Sequence, residues 1–167
     1  MVLWLYGKGH CTSLSMIERR ISNYEGRFGI AIKFQQYINQ SIGEKMSQFK
    51  ELDELVTLAD QMMTKEGPVV LINLFTIDPK DEDALIKAWA HDANFMKAQP
   101  GYISTQLHKG IGGSGSYLNY AIWESAETFA MAFSKPEFQR RIGEYPNSAV
   151  TSPHLFKKLA VEGLCTE

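Results

Sequence analysis

Between Tyr117 and Ala130 the chain reads Tyr-Leu-Asn-Tyr-Ala-Ile-Trp-Glu-Ser-Ala-Glu-Thr-Phe-Ala, and the spacing of its apolar positions changes partway along. In a strand, alternate side chains share a face, so Asn119, Ala121 and Trp123 point one way while Leu118, Tyr120 and Ile122 point the other. Ser125 then stands where a helix N-cap is wanted, with Glu127 and Thr128 in the first turn. The pattern predicts a strand that gives way to a helix within two residues. One strand face carries a carboxamide, a small gap and an indole.

The chain on either side falls into the same kind of units. Val69 to Ile77 is a β-branched and aromatic run, apolar on both faces except at Asn73, and reads as a buried strand. Asp78-Pro79-Lys80-Asp81 makes a turn and a helix start. The helix predicted over Glu82 to Ala98 places Leu85, Ala88, Trp89, Phe95 and Met96 on one side, with Asp92 intruding. Pro100-Gly101 stops it, and Tyr102 to His108 alternates as a strand. The glycine-rich stretch from Gly110 to Ser116 leads into a strand rather than a helix N-terminus, so it reads as a hairpin loop and not a phosphate cradle. Phe129 to Phe133 and Pro136 to Ile142 read as short helices, and His154 to Gly163 as a last strand entered from Pro153.

Residues 1–66 have a different character. Val2 to Tyr6 and Phe28 to Tyr37 read as strands, and Leu14, Ile17, Ile21 and Tyr24 form one stripe of a short helix. From Glu44 to Met63 the positions Met46, Phe49, Leu52, Leu55, Leu58 and Met62 recur every three or four residues, which predicts an amphipathic helix ended by Gly67-Pro68. The organisation expected is an accessory extension over residues 1–66 and a compact unit over residues 67–167, the extension covering the sheet or the mouth of a pocket.

From Val69 onward the order is strand, helix, strand, strand, helix, strand, the ferredoxin-like arrangement of an α+β domain. Helices on one face of an antiparallel sheet leave the other face in need of cover, and a second copy of the chain supplies it most simply. A homodimer is therefore expected.

Composition narrows the function classes. With 17 Lys and Arg against 19 Asp and Glu, a net charge of -2 and no basic cluster, nothing in the sequence points to nucleic acid or an anionic membrane. The apolar start, Met1 to Tyr6, is broken by Gly7, Lys8, Gly9 and His10 too early for a signal peptide, and no run is long enough to span a membrane. Cys11 and Cys165 fit neither a disulfide framework nor a paired-cysteine metal site, and the histidines lack metal-ligand spacing. A soluble, cytoplasmic protein without a metal is the expectation. His10 beside Cys11 lacks an orienting third group, so a nucleophile pair is not read there.

The segment from residue 68 to residue 163 resembles the antibiotic biosynthesis monooxygenase family of dimeric α+β barrels. The likeness rests on Val-Val-Leu-Ile-Asn-Leu-Phe with its Pro-Lys-Asp-Glu-Asp helix start, on Gln-Pro-Gly-Tyr-Ile-Ser-Thr-Gln-Leu-His, and on Asn-Tyr-Ala-Ile-Trp-Glu-Ser-Ala-Glu-Thr-Phe. The resemblance implies a pocket between sheet and helices lined by an Asn and a Trp four residues apart, matched by Asn119 and Trp123, with Asn73 resembling a second lining Asn. It implies cofactor-free oxidation by O2 of an aromatic or polyketide-like compound that becomes electron-rich once deprotonated. Asn119, Trp123 and Asn73 take the catalytic positions in this reading, and His108, Trp89, Phe129 and Tyr120 the substrate-binding ones. The family's heme degraders carry an axial His about ten residues after the Trp; Phe133 stands there in this chain.

Each of these residues also has a plainer reading. A Trp at a strand end beside a helix is commonly core, and a buried Asn in a strand serves structure when its carboxamide is hydrogen-bonded. His108 beside a glycine loop reads as solvated, and His91 on the flank of its helix as a surface or interface residue. The alternative function is accordingly a non-catalytic dimeric binding or accessory protein of the same fold, with a heme-binding member as a third.

Overall fold

A computed structural model describes residues 48–165, and the strands read at 2–6 and 28–37 and the stripe from Leu14 to Tyr24 lie outside them. The helix expected from Glu44 to Met63 is corrected within the described part: β1 (Gln48–Phe49) is a strand, and only α1 (Leu58–Met62) is helical. Local hydrogen bonding overrides the apolar periodicity. Asp53 accepts from the backbone N–H groups of Leu55 and Val56, and Thr57 with Asp60 forms a capping box that starts the helix there. Of the expected stripe, Leu58 and Met62 are buried while Leu55 is exposed.

The strand from Val69 is β2 (Val69–Thr76). A 3-10 turn over Pro79–Asp81, capped by the Asp78 side chain, leads into α2 (Glu82–Lys97). The hairpin β3 (Tyr102–Lys109) and β4 (Ser116–Trp123) follows, then α3 (Ala126–Phe133), α4 (Pro136–Ile142) and β5 (Val150–Phe156). Ser125 caps α3 as the sequence suggests, its Oγ accepting from the Thr128 N–H at 3.1 Å in a reciprocal capping box. At the end of α2, Gly101 adopts φ +81°, and a Cβ there would strike the Thr128 side chain.

The strands lie in the order β1-β5-β2-β4-β3, antiparallel except for β1 beside β5. From β2 to β5 this is the ferredoxin-like topology of an α+β fold. The last strand begins at Val150 rather than His154, so Pro153 lies inside it. The Leu155 N–H bonds the Gln61 side chain at the outer edge, and N–H groups two residues apart point the same way. The missing donor of Pro153 thus falls on that outer edge, where it costs no bond to β2. Gln61 also donates to the Leu155 carbonyl at 2.8 Å, doing for this part of the edge what β1 does for Val150 and Thr151. Residues 48–66 are therefore built into the sheet and, through Leu58 and Met62, into the core.

The helix-facing side of the sheet packs as two apolar clusters. One gathers Leu71, Ala121, Trp123, Phe129, Phe133, Phe138, Leu155 and Met96; the other gathers Phe75, Ile77, Leu85, Ala88, Tyr117, Tyr145 and Ala149. The opposite face carries Val70, Ile72, Leu74, Leu118, Tyr120 and Ile122, of which Leu74 and Tyr120 are exposed. Among the described residues no helix is long and apolar enough to cross a membrane.

Candidate active site

Polar residues separate the two clusters. Asn73 lies between Leu71 and Phe75 on β2, and Asn119 between Tyr117 and Ala121 on β4; each is flanked by one member of either cluster. The register pairs Asn73 directly with Asn119, so the two carboxamides project side by side from the same face. On α2 the buried stripe runs Leu85, Ala88, Asp92, Met96, and Asp92 occupies the same boundary from the helix side.

Asn119 is held by two donors. The Trp89 Nε1–H donates to its Oδ1 at 3.3 Å and the Thr105 hydroxyl at 2.6 Å. An indole N–H only donates, so the amide oxygen must face Trp89 and the NH2 group must turn away. Among the described residues the hydrogen bonds of the Asn119 side chain run to its oxygen, which leaves the NH2 donors for a ligand. At Asn73 the acceptor is unmet: its Oδ1 is buried with nothing to accept from among the described residues. A buried acceptor left in this state costs about 1–3 kcal/mol, which a ligand hydroxyl would recover.

Asp92 is 7% exposed and its Oδ1 likewise lacks a partner among the described residues. Burial pushes its carboxyl up to about 6, with the charge of Glu144 adding to the effect; the Tyr145 hydroxyl bond, Arg141 and His91 pull the other way. The Tyr145 ring stacks on Phe75 with centroids 5.5 Å apart, which fixes the hydroxyl against Asp92. Burial, and then the nearby carboxylate, hold that phenol well above the usual tyrosine range.

The residues singled out from the sequence separate into three groups. Asn73, Asn119 and Trp89 come together at the boundary. Trp123 and Phe129 lie in the adjacent core, each 1% exposed, their rings 5.6 Å apart, with Tyr102 edge-on to Trp123 at the same distance. The Trp123 N–H is buried without a partner among the described residues. His108 and Tyr120 do not join them. His108 pairs with Leu118 and Tyr120 with Ile72, so strand alternation sends both to the other face of the sheet. Exposed His91 pairs with Glu144, its Nδ1 2.7 Å from the carboxylate. The sequence alone does not single out Asp92, Tyr145 or Thr105 as site residues. Asp92 was visible as a charge within an apolar stripe, whereas Tyr145 and Thr105 depend on contacts across the fold.

Comparison with known proteins agrees with this architecture. A family model described as antibiotic biosynthesis monooxygenase matches residues 68–142. The solved structure of SnoaB, a cofactor-independent oxygenase from Streptomyces nogalater, superposes with a TM-score of 0.52 at 23% identity, covering 59% of this chain and 99% of that one. A solved protein from Shewanella loihica is 33% identical over 57% of this chain and 97% of its own, with a TM-score of 0.49. A mycobilin-producing heme oxygenase of Mycobacterium tuberculosis is 29% identical over 90 residues, 54% of this chain and 86% of that protein.

Proposed function

Over residues 68–142 this chain belongs to the antibiotic biosynthesis monooxygenase family, and from that premise we propose that it uses O2, without a cofactor, to oxidise an aromatic or polyketide-like phenol. The observation that carries the reading is the adjacent pair Asn73 and Asn119, with a free donor on one and an unsatisfied buried acceptor on the other. A polyphenol has matching groups. Its ionised oxygen accepts from the Asn119 NH2, and a second hydroxyl donates to the Asn73 Oδ1. The phenolate is electron-rich enough to pass an electron to O2 itself. Donors set in advance against that oxygen, between two apolar clusters, stabilise the anion more than water-exposed donors would. Trp89 and Thr105 hold the Asn119 carboxamide in place, and Trp123 with Phe129 forms the apolar end wall.

The same reading covers the open sheet face, with its exposed Leu74 and Tyr120, by a second copy of the chain. It also takes the protein to work in a reducing compartment such as the cytoplasm, where Cys165, free among the described residues, would stay a thiol.

Heme is the group that the mycobacterial relative's name brings into question. The residues described here do not fit an axial ligand on the helix after Trp123. Phe133, at that place, is packed between Phe129 and Phe138. His108 and His154 lie on the far face of the sheet, and exposed His91 is engaged by Glu144. A second reading, a non-catalytic binding protein of the same fold, draws support from the close packing of Trp123 on Phe129.

Oxygen uptake by purified protein with a hydroquinone or an anthrone separates these readings. Uptake lost in Asn119→Asp, which keeps an acceptor for Trp89 and Thr105 but removes the NH2, supports the oxygenase. Saturable substrate binding with no uptake supports the binding protein, and a Soret band would bring heme back.

A further inference from the structure

We propose that Asp92 is the proton acceptor of this site, its carboxylate taking the phenolic proton of the bound substrate while Tyr145 positions it; the inference rests on the oxygenase reading. Cofactor-free attack on O2 needs the phenol as its anion, and the neutral carboxamides of Asn73 and Asn119 cannot remove a proton. Asp92 is the carboxylate on the buried stripe of α2 at the level where the apolar clusters part. One of its oxygens has no partner among the described residues, and a buried carboxylate oxygen left bare is explained if a substrate hydroxyl occupies it.

The step balances simply. The substrate O–H bond breaks, its electron pair stays on the substrate oxygen as a phenolate, and a new O–H bond forms at Asp92 Oδ1. Nothing is oxidised or reduced until the anion meets O2. The Asn119 NH2 then holds the charge that the transfer has created.

Geometry also accounts for the poise of the base. A solvated aspartate is too weak a base for a phenol at neutral pH, but removing Asp92 from water strengthens it, as its carboxyl at about 6 reflects. The charged and titratable groups around it are His91 on its own helix, Arg141 on α4, and Glu144 and Tyr145 just beyond α4. β2 and β4 present the uncharged Asn73 and Asn119. Lys109 on β3 is engaged by Glu82, and Asp81 of the 3-10 turn by Ser148.

The test is an anaerobic titration of the full chain with 4-nitrophenol at about pH 6.5, where a carboxyl of pKa about 6 is mostly ionised while the free phenol is largely neutral. The wild type is expected to show the yellow phenolate band on binding, and Asp92→Asn, nearly isosteric, to reduce it at least tenfold. Tyr145→Phe removes a bond that favours the ionised carboxylate and so leaves a stronger base, and the band at pH 6.5 should be larger than in the wild type. This second variant carries the test if the first does not fold by circular dichroism. An equal band in Asp92→Asn overturns the proposal, as does an unchanged or weaker band in Tyr145→Phe. Absence of the band in a wild type that still consumes oxygen with a hydroquinone overturns the proposal and leaves the oxygenase reading standing. A band without oxygen uptake supports the proton acceptor and removes the oxygenase. Neither band nor uptake removes both.

Discussion

Asn73 and Asn119 stand opposite one another across β2 and β4, each at the point where its strand passes from one apolar cluster to the other. Adjacent carboxamides in a core are costly unless each polar atom is engaged, and here only the Asn119 oxygen is. Among the described residues three polar groups stay in reserve at this place, the Asn119 NH2 and both ends of the Asn73 carboxamide.

Replacing Asn119 by Ala should harm both fold and function. The Trp89 N–H would lose its acceptor and the Thr105 hydroxyl would keep only the longer contact to the Tyr120 carbonyl, a cost of about 1–3 kcal/mol read by urea denaturation. Asn119→Asp should lose less than half of that stability yet abolish oxygen uptake with a hydroquinone. Equal activity in the aspartate variant would remove the NH2 group from the mechanism.

Trp89→Phe tests positioning. The ring still packs beside the second cluster, but Asn119 keeps only the Thr105 bond, so stability should fall by about 0.5–1.5 kcal/mol. Oxygen-uptake kcat should fall several-fold with little change in KM, because the carboxamide is less firmly aimed. A rise in KM alone would mean that the indole contacts substrate directly.

Asp92 makes stability depend on pH in a direction unusual for a carboxylate. Its folded value of about 6 lies above the unfolded value of about 4, so the native state binds the proton more tightly. Its contribution is most favourable below about pH 4, weakens as pH rises to about 6, and stays weak above that, a loss of at most about 3 kcal/mol. Asp92→Asn carries no such charge. Its stability relative to wild type should grow between about pH 4 and pH 8 by up to that amount, measured by urea melts at both ends. A difference that does not vary with pH would show that the carboxyl titrates normally.

Trp123 is enclosed between Tyr102 and Phe129, so its truncation should act on the fold. Trp123→Ala should cost about 3–5 kcal/mol, enough to unfold much of the protein at 37 °C. The milder Trp123→Phe should fold and bind the same phenol with a changed affinity, read by calorimetry, if the indole bounds the pocket; unchanged affinity would confine it to the core.

Leu74→Lys tests the open face. The lysine can extend into solvent from a lone protomer but would be buried against a partner. Sedimentation should show a dimer for the wild type and a monomer for the variant, whereas a monomer in both would leave the face to another cover.

How far the chain could be read depended on how local the determining forces were. The alternation of Asn119, Ala121 and Trp123 and the Ser125 cap are settled within a few residues, and both are found as expected. The stripe from Met46 to Met62 has helical spacing too, yet the Asp53 turn and the Thr57 cap interrupt it, and local bonds prevailed over period. The final strand starts at Val150 and not after Pro153, which by itself reads as a boundary; only its position beyond the end of β1 makes a proline tolerable there.

The sequence by itself determined which face of β4 carries its carboxamide, where α3 begins, and that a charge interrupts the buried stripe of α2, because backbone periodicity and capping act over one or two turns. Only the tertiary structure decided that Asn73 meets Asn119, that Trp89 orients it, that His108 lies on the other side of the sheet, and that Tyr145 reaches Asp92. Those relations join residues far apart in the chain. They depend on strand register and layer packing, which no short stretch of sequence contains.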